Sequence, residues 1–177
     1  MNVLVTAASQ QGATRGIAEA IARELRLRGL DVTIATPEEI DDVEDYDAFV
    51  IGSAIYVGHW LESATEFVRR FAPTLSQRPV WLFSSGPVGD PKRKLVQKMT
   101  ADPVELPELV ALSGAREHRL LAGKLAGRGL PRPQRAALLV FRGIEGDWRD
   151  WAAVEHWAGE IAAGLARERA TSATTAG

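Results

Sequence analysis

A short apolar run that breaks into a loop of small and hydroxyl residues, and then into a helical repeat, constrains the start of this chain more than any other feature. Val3, Leu4 and Val5 carry no polar alternation, the pattern of a parallel strand buried on both faces. Thr6 to Ser9 are small or hydroxyl-bearing, Gln10-Gln11-Gly12-Ala13-Thr14 follow, and from there Ile17, Ile21, Ala22 and Leu25 fall on one helical face. A strand ending in a Ser/Gly/Thr loop that opens a helix sets free backbone N–H groups and hydroxyls at the positive end of the helix dipole, which suits a phosphate. The plainer alternative is a strand-to-helix turn in which Ser9 or Thr14 only caps.

The same grammar repeats downstream. Gly29 closes the first helix after a basic last turn, and Asp31-Val32-Thr33-Ile34-Ala35 reads as a second strand. Thr36-Pro37-Glu38-Glu39 has the form of a capping box with Pro at the first helical position, leading into an acidic connection over residues 41–47. Ala48-Phe49-Val50-Ile51-Gly52 is a third strand, and it runs into Ser53-Ala54-Ile55-Tyr56-Val57-Gly58-His59-Trp60. A helix resumes near Leu61 with Ala64, Phe67, Val68 and Phe71 inward. Pro79-Val80-Trp81-Leu82-Phe83 is a fourth strand, ending in Ser84-Ser85-Gly86-Pro87-Val88.

Further on, the spacing predicts a helix over residues 91–99, a fifth strand over 117–122, and helices over 132–142 and 150–165, the last capped by Asp150. The Pro-rich, acidic stretch 102–114 fits no pattern. Residues 169–177 read as a disordered tail after one domain over 1–168, and neither a repeat nor a linker divides the chain.

Strands alternating with helices at this spacing give an α/β fold, a doubly wound five-stranded parallel sheet with helices on both faces. In such sheets ligands sit beyond the C-terminal strand edge. The loops after strands 1, 3 and 4 all rise on that edge, and all three are small, hydroxyl-bearing and Gly-containing. A turn alone needs no such coincidence.

At this point the chain resembles flavodoxin-type FMN-binding proteins, and more narrowly the flavodoxin-domain group that includes the short bacterial protoporphyrinogen oxidase. The likeness runs through Ser9-Gln10-Gln11-Gly12-Ala13-Thr14-Arg15, Asp47-Ala48-Phe49-Val50-Ile51-Gly52-Ser53-Ala54-Ile55, Gly58-His59, Glu66-Phe67-Val68 and Gly146-Asp147-Trp148-Arg149-Asp150-Trp151. It implies the flavodoxin-like strand order 2-1-3-4-5 and FMN as cofactor. The FMN phosphate would rest on Ser9, Gln10, Gln11, Gly12, Ala13 and Thr14. The flavin ring would lie along Ser53, Ala54, Ile55, Tyr56, Val57, Gly58 and His59, with Tyr56 covering a face. Ser84, Ser85, Gly86, Pro87 and Val88 would close the other side. Where many small flavodoxins offer an aromatic in that last loop, this chain has Gly86-Pro87, which leaves room for a substrate or partner. The implied function is an oxidoreductase moving electrons between a donor and a small acceptor such as a quinone or a porphyrinogen-type substrate; the alternative is a non-enzymatic electron carrier.

Composition narrows the field. There is no cysteine, so thiol catalysis and Cys-ligated metals are excluded and redox chemistry must reside on a cofactor. The net charge of -2 gives no pull toward nucleic acid, and it is weaker than the strongly acidic surface of shuttle flavodoxins. Neither a Gly-x-Gly-x-x-Gly fingerprint, a Walker loop nor a Gly-x-Ser-x-Gly elbow is present, and Gly52-Ser53 stand where a phosphoreceiver needs Asp. Without a recognisable leader the chain reads as cytoplasmic, with a redox partner or small-molecule substrate, a homodimer left open, and no metal. His59 is the histidine nearest the expected site; His118 and His156 fall on a strand and a helix. The basic residues over 116–142 read as a solvated face, with a membrane-surface patch as the sharper alternative. Gly146-Asp147-Trp148 looks like a flavin-loop feature but lies after strand 5, so Asp147 and Asp150 read as helix-start residues.

Overall fold

A computed structural model of the chain describes residues 1–86, 102–125 and 146–175. The expected helices over 91–99 and 132–142, together with Pro87 and Val88, lie outside the described residues.

The apolar runs form the sheet. β1 (Asn2–Ala8), β2 (Asp31–Ala35), β3 (Ala48–Tyr56), β5 (Val80–Ser85) and β6 (Glu117–Leu121) pair in parallel in the order β2-β1-β3-β5-β6. This is the expected 2-1-3-4-5 order, with numbering displaced by β4 (His59–Trp60), a short strand that folds back antiparallel on the end of β3. A further two-stranded ribbon pairs β7 (Lys124–Leu125) with β8 (Gly146–Asp147). Asp147 therefore belongs to a strand, a correction to its reading as a helix-start residue: its backbone pairs with Lys124, and its carboxylate is engaged by the Arg149 guanidinium and Lys124.

Period-two alternation sends each central strand into two cores. Val3, Val5, Ala7, Val50, Trp81 and Phe83 pack under α1 (Ala13–Leu27) and α4 (Trp151–Thr175). Leu4, Ala8, Phe49, Ile51, Val80 and Leu82 pack under α2 (Glu62–Leu75) and α3 (Leu106–Ser113). The stretch that fitted no pattern thus contains α3, held by Leu106 and Leu109 and stopped by Gly114 in the left-handed region. Asp150 caps α4 as expected, its Oδ1 accepting from Ala153 N at 3.0 Å. That helix continues to Thr175, past residue 165 and through most of the stretch read as a tail. The Thr36–Glu39 capping box forms, but it heads only a single 3-10 turn, Pro37–Glu39. Among the described residues no helix is long and apolar enough to cross a membrane.

Candidate functional site

Strand register brings the three loops to one level. Ala8 of β1 pairs with Ser53 of β3, and Ser53 with Ser84 of β5, so the chain leaves three adjacent strands side by side at their C-terminal ends. Ser9, Gln10, Gln11, Gly12, Ala13 and Thr14 stand on the first exit, Ser53 to His59 on the second, and Ser84, Ser85 and Gly86 on the third.

The first loop enters α1 through Gly12, whose φ of 77° is the left-handed conformation that glycine tolerates. No side chain caps this helix, so neither Ser9 nor Thr14 takes the plain capping role. The first-turn N–H groups have no partner within a helix. Thr14, the second helical residue, is buried, and its Oγ1 has no hydrogen-bond partner among the described residues. Gln10, Gln11 and Gly12 are exposed. An uncapped N-terminus beside an orphaned hydroxyl has the donor set that a phosphate monoester would satisfy.

Arg149 stands against the same turn. Its Nη1 lies 3.5 Å from the Ala13 carbonyl oxygen, and a Cβ built on Gly16 would come within 2.7 Å of that nitrogen. The guanidinium also lies over the Trp151 ring and grips Asp147 through Nε and Nη2 at 2.8 and 2.5 Å. Those bonds hold the Asp147 carboxyl at about 2. Sequence reasoning missed Arg149 as a neighbour of the loop; its signal was the bare Gly16.

On the second exit, Ser53 is buried and its hydroxyl is committed: Oγ accepts from Leu61 N and donates to the Ala54 carbonyl, both at 2.9 Å. Ala54, Ile55 and Tyr56 are half-buried, and burial pushes the Tyr56 phenol up, so it stays protonated at neutral pH. Val57 and Gly58 make a two-residue hairpin turn with φ of 51° and 82°. Turns of this hand favour Asn or Gly, and a β-branched residue there is strained. Val57 is 97% exposed, so no packing compensates it.

Trp60, behind that turn, reaches the third exit. Its Nε1–H donates to Ser84 Oγ at 2.7 Å, and Ser84 Oγ meets His118 Nε2 at 2.8 Å. Ser84, like Ser53, therefore spends its hydroxyl inside the protein. Ser85 is buried, and Gly86 N–H donates to the Leu121 carbonyl at 2.9 Å. Glu105, at the head of α3, takes Trp60 N–H on Oε2 at 3.2 Å and holds His59 Nδ1 on Oε1 at 2.5 Å. Burial raises the Glu105 carboxyl, but the bonds from His59 and the backbone outweigh it and hold the group below the usual carboxylate range. No local pattern in residues 102–114 marked Glu105, because its partners lie more than forty positions away.

Of the basic residues over 116–142, those described are paired: Arg116 with Glu168, Arg119 with Glu117 and Glu160, and Lys124 with Asp147. Surface hollows at Arg116 and Glu168, at the start of β1 and β2, and between the ends of α1 and α4 lie away from the three loops.

Comparison with known proteins agrees with this architecture. The protoporphyrinogen IX dehydrogenase (quinone) of Escherichia coli (strain K12) is 34% identical over 86 residues, which is 48% of this chain and 48% of that protein. The chain thus matches about half the length of that relative. The rubredoxin oxygen:oxidoreductase of Desulfovibrio gigas superposes with a TM-score of 0.63 at 16% identity, covering 96% of this chain and 37% of that one. A flavodoxin from the domain Archaea gives 0.61 at 16% identity, covering 93% of this chain and 99% of that one. At such identities these structures speak for the fold. A family model described as a flavodoxin domain matches residues 4–149, and on that match the chain belongs to the flavodoxin domain family.

Proposed function

We propose that this chain holds FMN across the C-terminal ends of β1, β3 and β5 and works as an oxidoreductase, moving electrons between a donor and a small acceptor of the quinone or porphyrinogen type. Bound FMN supplies the electron chemistry; the protein supplies the seat, the orientation and the shape of the pocket. Ser9, Gln10, Gln11, Gly12, Ala13 and Thr14 hold the phosphate through backbone N–H groups and the Thr14 hydroxyl. Arg149, paired with Asp147, backs the first turn of α1. Ser53 to His59 form one wall of the ring pocket and Ser84, Ser85 and Gly86 begin the other. Because the Ser53 and Ser84 hydroxyls are occupied internally, these two residues contribute backbone and shape rather than hydroxyl donors.

The observation that carries the reading is the buried Thr14 Oγ1, without a partner among the described residues, at an uncapped helix N-terminus on the edge where the three loops meet. The name of the Escherichia coli relative, a quinone-linked dehydrogenase, supports a small-molecule acceptor over a protein one. The test is direct. The purified protein is expected to be yellow, to release FMN on denaturation, and, once reduced, to pass electrons to quinones with no protein partner present. A colourless protein that takes up no added FMN would overturn the cofactor. A flavoprotein that reacts only through a second protein would be an electron carrier.

A further inference from the structure

We infer that His59 and Glu105 form a proton-delivering pair at the mouth of this site, with His59 donating to a quinone-class acceptor and Glu105 positioning it. The inference rests on the FMN reading above and extends it to the proton side of the reaction.

The geometry is that of a carboxylate–imidazole dyad. Glu105 Oε1 lies 2.5 Å from His59 Nδ1, while Oε2 is anchored by Trp60 N–H, so the carboxylate is fixed at both oxygens. Its side chain is only 17% exposed, whereas that of His59 is 54% exposed. The anchored acid is inside and the imidazole it orients faces outward. With Nδ1–H directed at the carboxylate, Nε2 is the free end, and it has no partner among the described residues. The support is doubly tied, since Val104 N–H donates to the Gly58 carbonyl at 3.0 Å and docks the head of α3 on the turn.

The surroundings suit one kind of acceptor. Val57 is 97% exposed and Val104 69% exposed, and the backbone bond from Val104 N–H to the Gly58 carbonyl sets both on the segments that flank His59. His59 pairs across the hairpin with Tyr56, a protonated phenol, and the Arg69–Glu108 ion pair lies behind Glu105 on α2 and α3. An apolar edge, a proton donor and a two-electron cofactor together fit a flat, apolar molecule that gains protons as it gains electrons. A quinone takes up two electrons and two protons. Two electrons and one proton come as a hydride equivalent from FMN in its anionic reduced form, which is left neutral and oxidised. The second proton leaves the His59 imidazolium at Nε2 for the quinone oxygen, giving the quinol and neutral His59, which takes a proton back from solvent.

The test compares a quinone with ferricyanide, which takes electrons without protons, on the reduced, FMN-loaded full chain. In His59→Gln the ratio of quinone rate to ferricyanide rate is expected to fall at least about tenfold. Glu105→Gln keeps an acceptor for Trp60 N–H but loses the charge, and the same ratio is expected to fall. Independently of flavin, nitrogen-15 NMR of the apoprotein is expected to find neutral His59 protonated at Nδ1, a preference lost in Glu105→Ala. An unchanged ratio in His59→Gln overturns the proposal. A wild-type protein that takes up no FMN sinks the flavin reading itself, a separate failure visible before any variant is made.

Discussion

Ser84 Oγ lies 2.8 Å from His118 Nε2, and the Trp60 indole approaches the same oxygen at 2.7 Å. An indole N–H can only donate, so Ser84 Oγ accepts from Trp60, and its second lone pair or its own proton completes the bond with His118 Nε2. Asp102 faces His118 Nδ1 at 3.6 Å. Burial lowers the His118 imidazole below its ordinary value of about 6.5, against the opposing pull of Asp102 and Glu117. A histidine depressed in the folded state binds its proton more readily when unfolded. Its contribution to stability is therefore complete above about pH 6.5 and is lost as pH falls through the lower folded value. Denaturant unfolding at pH 7 and pH 5 should show a loss on acidification that is smaller in His118→Gln, whose amide can bond the Ser84 hydroxyl without titrating. Equal losses in the two proteins would show that His118 is not the source of the acid sensitivity.

Gly52 and Phe83 share a single space. They are register partners on β3 and β5, and a Cβ on Gly52 would fall 2.1 Å from Phe83 Cζ. The Phe83 ring cannot yield easily, because it is fully buried and packs edge-on against Trp157 at 6.1 Å. Gly52→Ala should therefore cost about 3 kcal/mol by overpacking. Adding Phe83→Leu should recover part of that loss, so the double variant is expected to be more stable than the sum of the two single changes. Simple additivity in urea titrations would show that the contact does not matter.

Much of this was readable from the chain, and the reasons are local. Val3 to Val5, Ala48 to Ile51 and Val80 to Phe83 sit in a sheet covered on both faces, so their unbroken apolar runs report strands directly. The three small-residue loops were legible as a set because parallel strands send every such loop to one edge. What stayed hidden depends on contacts distant in sequence. Leu106 and Leu109 supply too short an apolar face to announce α3 among prolines and acids. Glu105 acquires its partners His59 and Trp60 only when the hairpin folds back. The hydroxyls of Ser53 and Ser84 looked available to a ligand, but buried backbone and indole donors claim them first.

Val57 is a β-branched residue at φ 51° with almost all its surface in solvent. Left-handed backbone costs an ordinary residue about 1 kcal/mol or more, and nothing touching Val57 offsets it. Val57→Asn, which suits the first central position of this turn, should raise stability by about 1 kcal/mol as read by the thermal midpoint. If the side chain serves the apolar edge, the same variant should bind a quinone more weakly. A stability unchanged by the substitution would mean that the turn carries no strain.

Thr14 separates folding from binding more cleanly than any other residue in the proposed phosphate seat. Its Oγ1 is buried with no partner among the described residues, and leaving a hydroxyl in that state costs about 1–3 kcal/mol. Thr14→Val keeps the shape and removes the orphan, so the apoprotein should become more stable, by about 1 kcal/mol in denaturant unfolding. With FMN present the order should reverse. A hydrogen bond to a charged phosphate is worth about 1.5–3 kcal/mol, so losing it should weaken FMN binding about tenfold or more in fluorescence titration. A residue that merely packs would change stability and affinity in the same direction or leave affinity alone. Opposite signs in the two measurements are specific to a hydroxyl left unpaired for a ligand, and an affinity equal to wild type would remove Thr14 from the phosphate seat.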